Sequence, residues 1–159
     1  MNLAQAAPGW LIAILYLVLI AAAAEDGWRL RISNAFPLLI IAGAITAAIL
    51  AGPTLGVWQN LLLFAALLAV GTFLFGAGLL GGGDVKLLAA CGLWFDLSTG
   101  WRMLVAVAIA GGLVAVLLIA IRPLVGKPTA KWVVMRPRGG IPYGIAIAAG
   151  TATLVALQR

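Results

Sequence analysis

The run Met103–Ile121, MLVAVAIAGGLVAVLLIAI, carries no charge and is long enough to cross the hydrocarbon core of a bilayer as a helix. No such run alternates apolar and polar residues as the strands of a membrane barrel do. Since an isolated apolar segment in lipid must satisfy its own backbone hydrogen bonds, each run predicts a helix. We therefore expect an all-α, polytopic membrane bundle of six transmembrane helices, with the other five at Pro8–Ala24, Ala35–Ala51, Val57–Leu80, Leu87–Phe95 extending toward Trp101, and Ile141–Leu157.

Composition restricts the chemistry. Hydrophobic residues make up 65% of the 159 residues and charged residues 9%, whereas soluble domains carry about 25% charged residues. Six spans leave no length for a soluble unit, so residues 1–159 are expected to form a single membrane-embedded domain. The chain has no histidine and one cysteine, Cys91, which excludes a Ser-His or Cys-His dyad and a CxxC zinc site. Catalysis would have to use carboxylates, hydroxyls or amines, without a cofactor or metal.

The basic residues set the expected orientation. Positive residues favour cytoplasmic loops, and the distribution here predicts both chain ends outside and the breaks around Asp26 and Asp84 on the cytoplasmic side. No Lys or Arg precedes the first run, so we expect it to be a retained span rather than a signal peptide. One side collects Arg29, Arg31, Lys86, Arg122, Lys127, Lys131, Arg136 and Arg138, and the other has only Arg102 and Arg159.

Two parts of this topology have alternatives. Leu87–Phe95 alone would rise about 14 Å, half of a core of about 30 Å, so a re-entrant segment is the alternative to a span. If it did not cross, the basic stretch Arg122–Arg138 would lie outside, and we therefore expect it to cross, with Trp94 and Trp101 near the outer interface. Asp96 would then lie on the side opposite Asp26 and Asp84. We interpret that stretch as a loop on anionic membrane lipid rather than a nucleic-acid site, because Pro123, Pro128 and Pro137 argue against a long helix.

Two of the four acidic residues, Asp26 and Asp84, lie at the ends of apolar runs that open on the same side. A carboxylate next to hydrocarbon is costly and is by default a candidate for function. Asp84 belongs to a GxGD pattern in Gly81-Gly82-Gly83-Asp84-Val85-Lys86-Leu87, and Asp26 precedes Arg31-Ile32-Ser33-Asn34. Glycines in such a pattern would permit a positive φ or the close approach of another backbone. Gly71, Gly76 and Gly78 would permit close helix contact near the same end. Glu25 would point about 100° away from Asp26 on a continued helix, and we expect it to be solvated.

Together these motifs resemble the type IV prepilin peptidases, whose pattern is an aspartate, then Arg-Ile-Pro-Asn, then GxGDxKL. The likeness is strongest to the short form found with tight-adherence (Flp-type) pili, and Pro142-Tyr143-Gly144 also fits the family. Ser33 replaces the proline of the pattern. The resemblance implies catalytic Asp26 and Asp84, supported by Gly81, Gly83, Lys86, Arg31 and Asn34.

The resemblance also implies the activity. The expected protein is an aspartic endopeptidase of the bacterial cytoplasmic membrane. The implied substrate is a prepilin with a short basic leader followed by an apolar helix, and the leader is cut off at the cytoplasmic face. Two adjacent carboxyls would share one proton, and the ionised one would activate water. Longer relatives carry a CxxC insert and methylate the product, so peptidase activity without methylation is expected here. A homo-oligomer is compatible with this interpretation.

Other interpretations stay open at this point. Asp84 could be only the N-cap of the fourth helix, and Asp26 could be paired with Arg29 or Arg31 at the interface. A small transporter would use the same two carboxyls for a cation or protons but would need polar residues deep in the spans, where only Thr46, Thr72 and Thr151 occur. A non-catalytic assembly subunit would need neither aspartate. A presenilin-type protease is disfavoured because Glu25, not a tyrosine, precedes Asp26.

Overall fold

A computed structural model describes residues 1–52, 55–125 and 140–159, and all regular elements in these ranges are α-helices. The predicted all-α class is confirmed for the described residues. The helices are α1 (Leu3–Ala6), α2 (Gly9–Arg29), α3 (Ala35–Ala51), α4 (Val57–Gly76), α5 (Gly82–Gly92), α6 (Leu97–Val125) and α7 (Tyr143–Leu157).

Length and hydropathy separate these helices into groups. Three of them, α2, α4 and α6, are long and apolar enough to cross a membrane. Helices α3 and α7 are shorter apolar helices, and α5 has only 11 residues. The side chains that α6 exposes are large and apolar, for example Ile109, Leu113 and Val116 at 60%, 65% and 67% exposure. Such a surface suits contact with lipid chains rather than water.

Helix α5 lies at the centre of the bundle and packs against α3, α4 and α7. It runs antiparallel to α4: Val85 packs on Gly71 near the end of α4, and the Asn60 amide in the first turn of α4 donates to the Leu93 carbonyl at 2.9 Å. Residues 60 to 71 of α4 span about 16 Å at 1.5 Å per residue. A short helix plus the turn after it therefore accompanies most of the length of α4.

The two ends of the bundle carry different groups. Asp26, the loop 30–34, Asp84 and the start of α7 lie together at one end. At the other end the Asn2 amide donates to Gln158 at 2.8 Å, and the Met1 amino group lies 4.0 Å from Asp96. Asp96 is thus remote from the other two aspartates, as the order of the runs predicted.

Several predicted boundaries were wrong, and they err where charged residues interrupt apolar runs. Helix α2 continues past Ala24 to Arg29, and α5 begins at Gly82 rather than Leu87, so both aspartates of the motifs lie inside helices. Helix α6 begins at Leu97, where the Asp96 carboxylate accepts the Thr99 N–H at 2.8 Å. It also continues through Pro123. The remainder of the basic stretch, residues 126–138, lies outside the described residues.

Trp94 was expected near the outer membrane interface, and it is instead a core residue. It is 1% exposed, and its indole N–H donates to the Ile40 carbonyl at 3.1 Å. Trp101, by contrast, is 57% exposed and has the Arg102 guanidinium 5.7 Å from its ring centre. Trp94 therefore joins α5 to α3 rather than anchoring the protein in lipid headgroups.

Candidate active site

Asp26 lies in the last turn of α2 and is 4% exposed. Its Oδ2 accepts the backbone N–H of Gly144 at 2.8 Å. Gly144 lies in the first turn of α7, where backbone N–H groups have no partner within the helix and attract negative charge. The buried carboxyl is therefore held by the start of a helix remote in sequence.

Asp84 lies in the first turn of α5, and its surroundings perturb its ionisation. It lies outside the three helices long enough to span a membrane. Burial, and secondly the negative charge of Asp26, raise the pKa of Asp84 to about 6 against the opposing effect of the backbone amides of Gly81 and Gly144. The two carboxyls are thus close enough to interact, and both are near the Gly144 amide.

One oxygen of Asp84 lacks a partner. Oδ1 is fully buried and makes no hydrogen bond within the described part of the chain. A buried carboxyl oxygen without a partner costs about 1–3 kcal/mol. Such an atom is suited to a shared proton, a water or a substrate group, which makes it the most reactive feature of the site.

The interpretation of Asp84 as an N-cap does not hold. The N-cap of α5 is Gly81, and no side chain caps that helix. The pairing of Asp26 with Arg29 or Arg31 does not hold either: Arg29 lies 3.8 Å from Glu25, and no ion pair joins Asp26 to an arginine among the described residues. Asp26 is held instead by the Gly144 amide, so neither of these two interpretations explains why the carboxyls lie together.

All the residues that the motifs predicted lie around one polar recess of about 580 Å³. The loop after α2 supplies one wall, and the GxGD segment supplies the other. The loop and α5 are joined by a hydrogen bond of 2.9 Å from Lys86 Nζ to Asn34 Oδ1. The predicted residues lining the recess are Asp26, Arg31, Asn34, Gly81, Gly83, Asp84 and Lys86.

The glycines act through close packing. None of the GxGD glycines has a positive φ, and Gly81 is extended at φ −76°. A Cβ at Gly81 would lie 2.6 Å from Asp84 Oδ2, and one at Gly83 would lie 3.0 Å from Ile32 Cβ and 3.2 Å from the Ile32 carbonyl oxygen. The backbone that approaches Gly83 is therefore the protein's own loop.

The other glycines predicted to allow close helix contact behave differently from one another. A Cβ at Gly71 would lie 2.6 Å from Val85, so that residue does permit α4 and α5 to pack closely. Gly76 and Gly78 have open space around them, and Gly78 has φ +74° in the turn after α4. The prediction was therefore correct for Gly71 and wrong for Gly76 and Gly78.

Sequence reasoning missed two residues of the site. Gly144 supplies the amide that holds Asp26, and the only signal for it was the Pro142-Tyr143-Gly144 run. Glu25 was expected to be solvated, but its Oε2 accepts the Ser33 N–H at 2.9 Å and so holds the loop. Proline, the residue that the family pattern has in place of Ser33, could not donate this hydrogen bond.

Within residues 1–52, 55–125 and 140–159, no three His, Cys, Asp or Glu side chains come together as a ligand set. The acidic groups that line the recess are the carboxyls of Asp26 and Asp84.

The fold and its apolar surfaces define a helical membrane protein. A family profile described as the type IV leader peptidase family matches residues 13–121, a range that includes both aspartates. This is well over half of the chain, so the protein belongs to that family, as the motifs predicted, and it is a protease of the leader-peptidase type whose family acts on prepilins. No curated protein and no solved structure gives a significant match.

Proposed function

We propose that the protein is an aspartic endopeptidase that removes the leader of a prepilin with Asp26 and Asp84 as its catalytic pair. One observation carries the proposal: two carboxyls from distant helices lie near a single amide, that of Gly144. Interacting acids at a buried site are typical of catalytic pairs, since one neighbour keeps the other from ionising.

The proposed reaction needs one proton shared between the pair. The ionised carboxylate takes a proton from a water molecule as the water oxygen attacks the scissile carbonyl, and the protonated carboxyl gives its proton to the carbonyl oxygen. Collapse of the tetrahedral gem-diol breaks the C–N bond as the first carboxyl gives its proton to the departing amine. One hydroxyl of the gem-diol returns its proton to the second carboxylate, which restores the starting pair. The pair titrates as a unit, so the acid and base roles belong to both residues.

The surroundings support this assignment of roles to the pair as a whole. The Gly144 amide stabilises negative charge at Asp26, whereas Oδ1 of Asp84 has no donor within the described residues. A water or a substrate carbonyl bound at that oxygen would satisfy it. The polar recess beside it offers enough room for an extended peptide segment.

We further propose that the site faces the cytoplasm and that six segments cross the membrane. Support comes from the excess of basic residues on the side of the aspartates and from the antiparallel path of α5 and the turn after it along α4. The Flp-type substrate and the absence of methylation rest on the motif resemblance and on the single cysteine of the chain. Mass spectrometry of the product's new amino terminus tests the methylation.

A transporter is less well supported. It would require polar groups inside the spans that are free to bind an ion. The hydroxyls of Thr46 and Thr72 instead donate to the carbonyls of Ala42 and Leu68, four residues earlier in the same helices. The protons of both hydroxyls are therefore already donated, and Thr151, the third threonine, is fully buried beside Cys91.

Replacing each aspartate by asparagine tests the proposal. Asp26→Asn and Asp84→Asn are nearly isosteric, so each should insert normally and should fail to release the leader when co-expressed with a prepilin. Asp96→Asn is the matched control, because Asp96 lies at the opposite end of the bundle and asparagine also starts helices well. Wild-type cleavage by either of the first two variants would exclude the shared-proton mechanism.

A further inference from the structure

A second, apolar groove of about 330 Å³ begins at Asp84 and follows α6. Its floor is a face of α6 with small residues, Ala108, Gly111, Gly112 and Ala115. Helix α5 and its preceding turn form one wall, and the start of α7 forms the other. The wall residues are Leu80, Leu88, Ile141, Tyr143, Ala146 and Ile147, whereas Val107 belongs to α6 and to the floor.

The groove exists because of how α6 packs. Helix α6 contacts α7 closely, and a Cβ at Gly150 of α7 would lie 2.5 Å from the Val107 backbone. Its contact with α4 is slight, and α5 is not among its principal partners. The face of α6 toward α5 is consequently left open, and a Cβ at Gly112 would meet nothing within 4 Å.

Asp84 lines both the polar recess and the apolar groove. The recess on one side carries most of the charged and polar residues of the site, and the groove on the other side has Asp84 as its one charged lining residue. Asp84 thus marks the junction of the two spaces, and its Oδ1 is buried and has no hydrogen-bond partner in the described part of the chain. A chain bound across the junction would change from polar to apolar at the point where its bond is cut.

We propose that the groove receives the apolar helix that directly follows the scissile bond of the prepilin. This inference rests on the proposed function, because it requires cleavage at Asp84. Positions 108, 111, 112 and 115 recur on one face of α6 and would allow another helix backbone to come close. The rest of the outward surface of α6 carries large side chains such as Leu113 and Val116, which prevent such an approach.

Filling the groove tests the proposal without disturbing the fold. Gly112→Leu places a side chain in open space, and leucine favours a helix more than glycine does, so the variant should insert and keep its helicity. We expect kcat/KM for a full-length prepilin to fall at least about tenfold, equivalent to about 1.4 kcal/mol. Ala120→Leu is the matched control, since Ala120 is exposed on α6 but does not line the groove. Equal rates in the two variants would overturn the assignment.

Cross-linking provides a readout that does not depend on catalysis. In a Cys91→Ala background that also carries Asp84→Asn, a Gly112→Cys variant should form a disulfide in membranes with a prepilin that has one cysteine in its apolar segment. Leu113→Cys is the control, because Leu113 points away from the groove and is 65% exposed. Equal cross-linking at both positions, or none at position 112 as expected if lipid fills the groove, would refute the docking.

The two proposals can fail separately. If Asp84→Asn still cleaves the prepilin, the proposed catalytic pair is wrong whatever happens at Gly112. If Asp84→Asn is inactive while Gly112→Leu cleaves like Ala120→Leu and position 112 gives no specific cross-link, the pair stands and the groove does not hold the substrate helix.

Discussion

Gly144→Ala should impair catalysis while leaving the bundle assembled. The N–H of Gly144 donates to Asp26 Oδ2 at 2.8 Å, and a Cβ on the same residue would lie 2.8 Å from that oxygen and 3.0 Å from Asp26 Cβ. It would also lie 2.6 Å from the Ile32 side chain. These separations are too short for ordinary contacts, so alanine must displace the carboxyl, the loop or the start of α7.

The expected fall in kcat is set by one of two effects, steric strain or a lengthened hydrogen bond, because relieving the first causes the second. Forcing a methyl group into a packed site costs about 1–3 kcal/mol, and losing a hydrogen bond to a charged group costs about 1.5–3 kcal/mol. A shift that relieves the overlap lengthens the hydrogen bond, so we count one effect rather than their sum. At 1.36 kcal/mol per factor of ten, kcat should fall by about 10- to 100-fold.

Folding should tolerate the change. Alanine favours a helix over glycine by about 1 kcal/mol, which offsets part of the strain of about 1–3 kcal/mol. We therefore expect Gly144→Ala in detergent to lose at most about 2 kcal/mol of stability in thermal unfolding and to stay folded at the assay temperature. A fall in kcat of the folded variant then reports a defect in the site rather than a general loss of structure.

Initial rates of prepilin cleavage by purified protein in nanodiscs measure the effect. Gly9→Ala is the control, because Gly9 begins α2 and a Cβ there meets nothing within 4 Å. If Gly144→Ala kept the wild-type kcat, the amide of that residue would not hold Asp26 in its active position, and the argument from the shared amide would fail.

Three further predictions follow from individual contacts. Gly150→Ala should lower stability by about 1–3 kcal/mol in thermal unfolding, since its methyl would meet the Val107 backbone of α6; an unchanged transition would show that the helices can separate without cost. The acid form of Asp84 has a pKa of about 6, so kcat/KM should decline as pH rises through about 6. The stability that protonation of Asp84 contributes is fully present below pH 3.8, the ordinary pKa of the group, and is lost as the pH rises through about 6. A pH–rate profile that is flat from about pH 5 to 8 would contradict this titration. Glu25→Ala and Ser33→Pro should each remove the same hydrogen bond, so a double-mutant cycle should give a coupling of about 0.5–1.5 kcal/mol, and additive effects would mean that the bond is absent.

The apolar helices, three of which are long enough to cross a membrane, were predictable because hydropathy defines them. Ala35–Ala51 was correct at both ends, and α4 begins at Val57 as predicted. Errors arose where a charged residue was interpreted as the end of a helix. Asp26 remains inside α2 because a tertiary contact, the hydrogen bond from Gly144, stabilises its buried carboxyl. A hydropathy average over neighbouring residues does not detect such a tertiary contact.

The site was predictable to the extent that its motifs are local. The RISN and GxGD segments each lie within a few residues of an aspartate, and both line the recess. Gly144 is 118 residues from Asp26, so no spacing rule connects them. The role of Glu25 was missed for another reason: its partner is a backbone N–H, which exists only because this chain has Ser33 where the family pattern has proline.

The glycines of the site are explained by the space that the two buried carboxyls and their amide donors need. A buried acid needs amide donors and close walls, and a side chain on the neighbouring residue would occupy the same space. Gly81 leaves room for the Asp84 carboxyl, Gly83 leaves room for the backbone of Ile32, and Gly144 brings its amide to Asp26. In each case the absent atom is a Cβ that would lie within 3.0 Å of a site residue. The glycines of this site therefore serve close packing of backbone around the carboxyls, and alanine at any of the three should damage the site more than the spans.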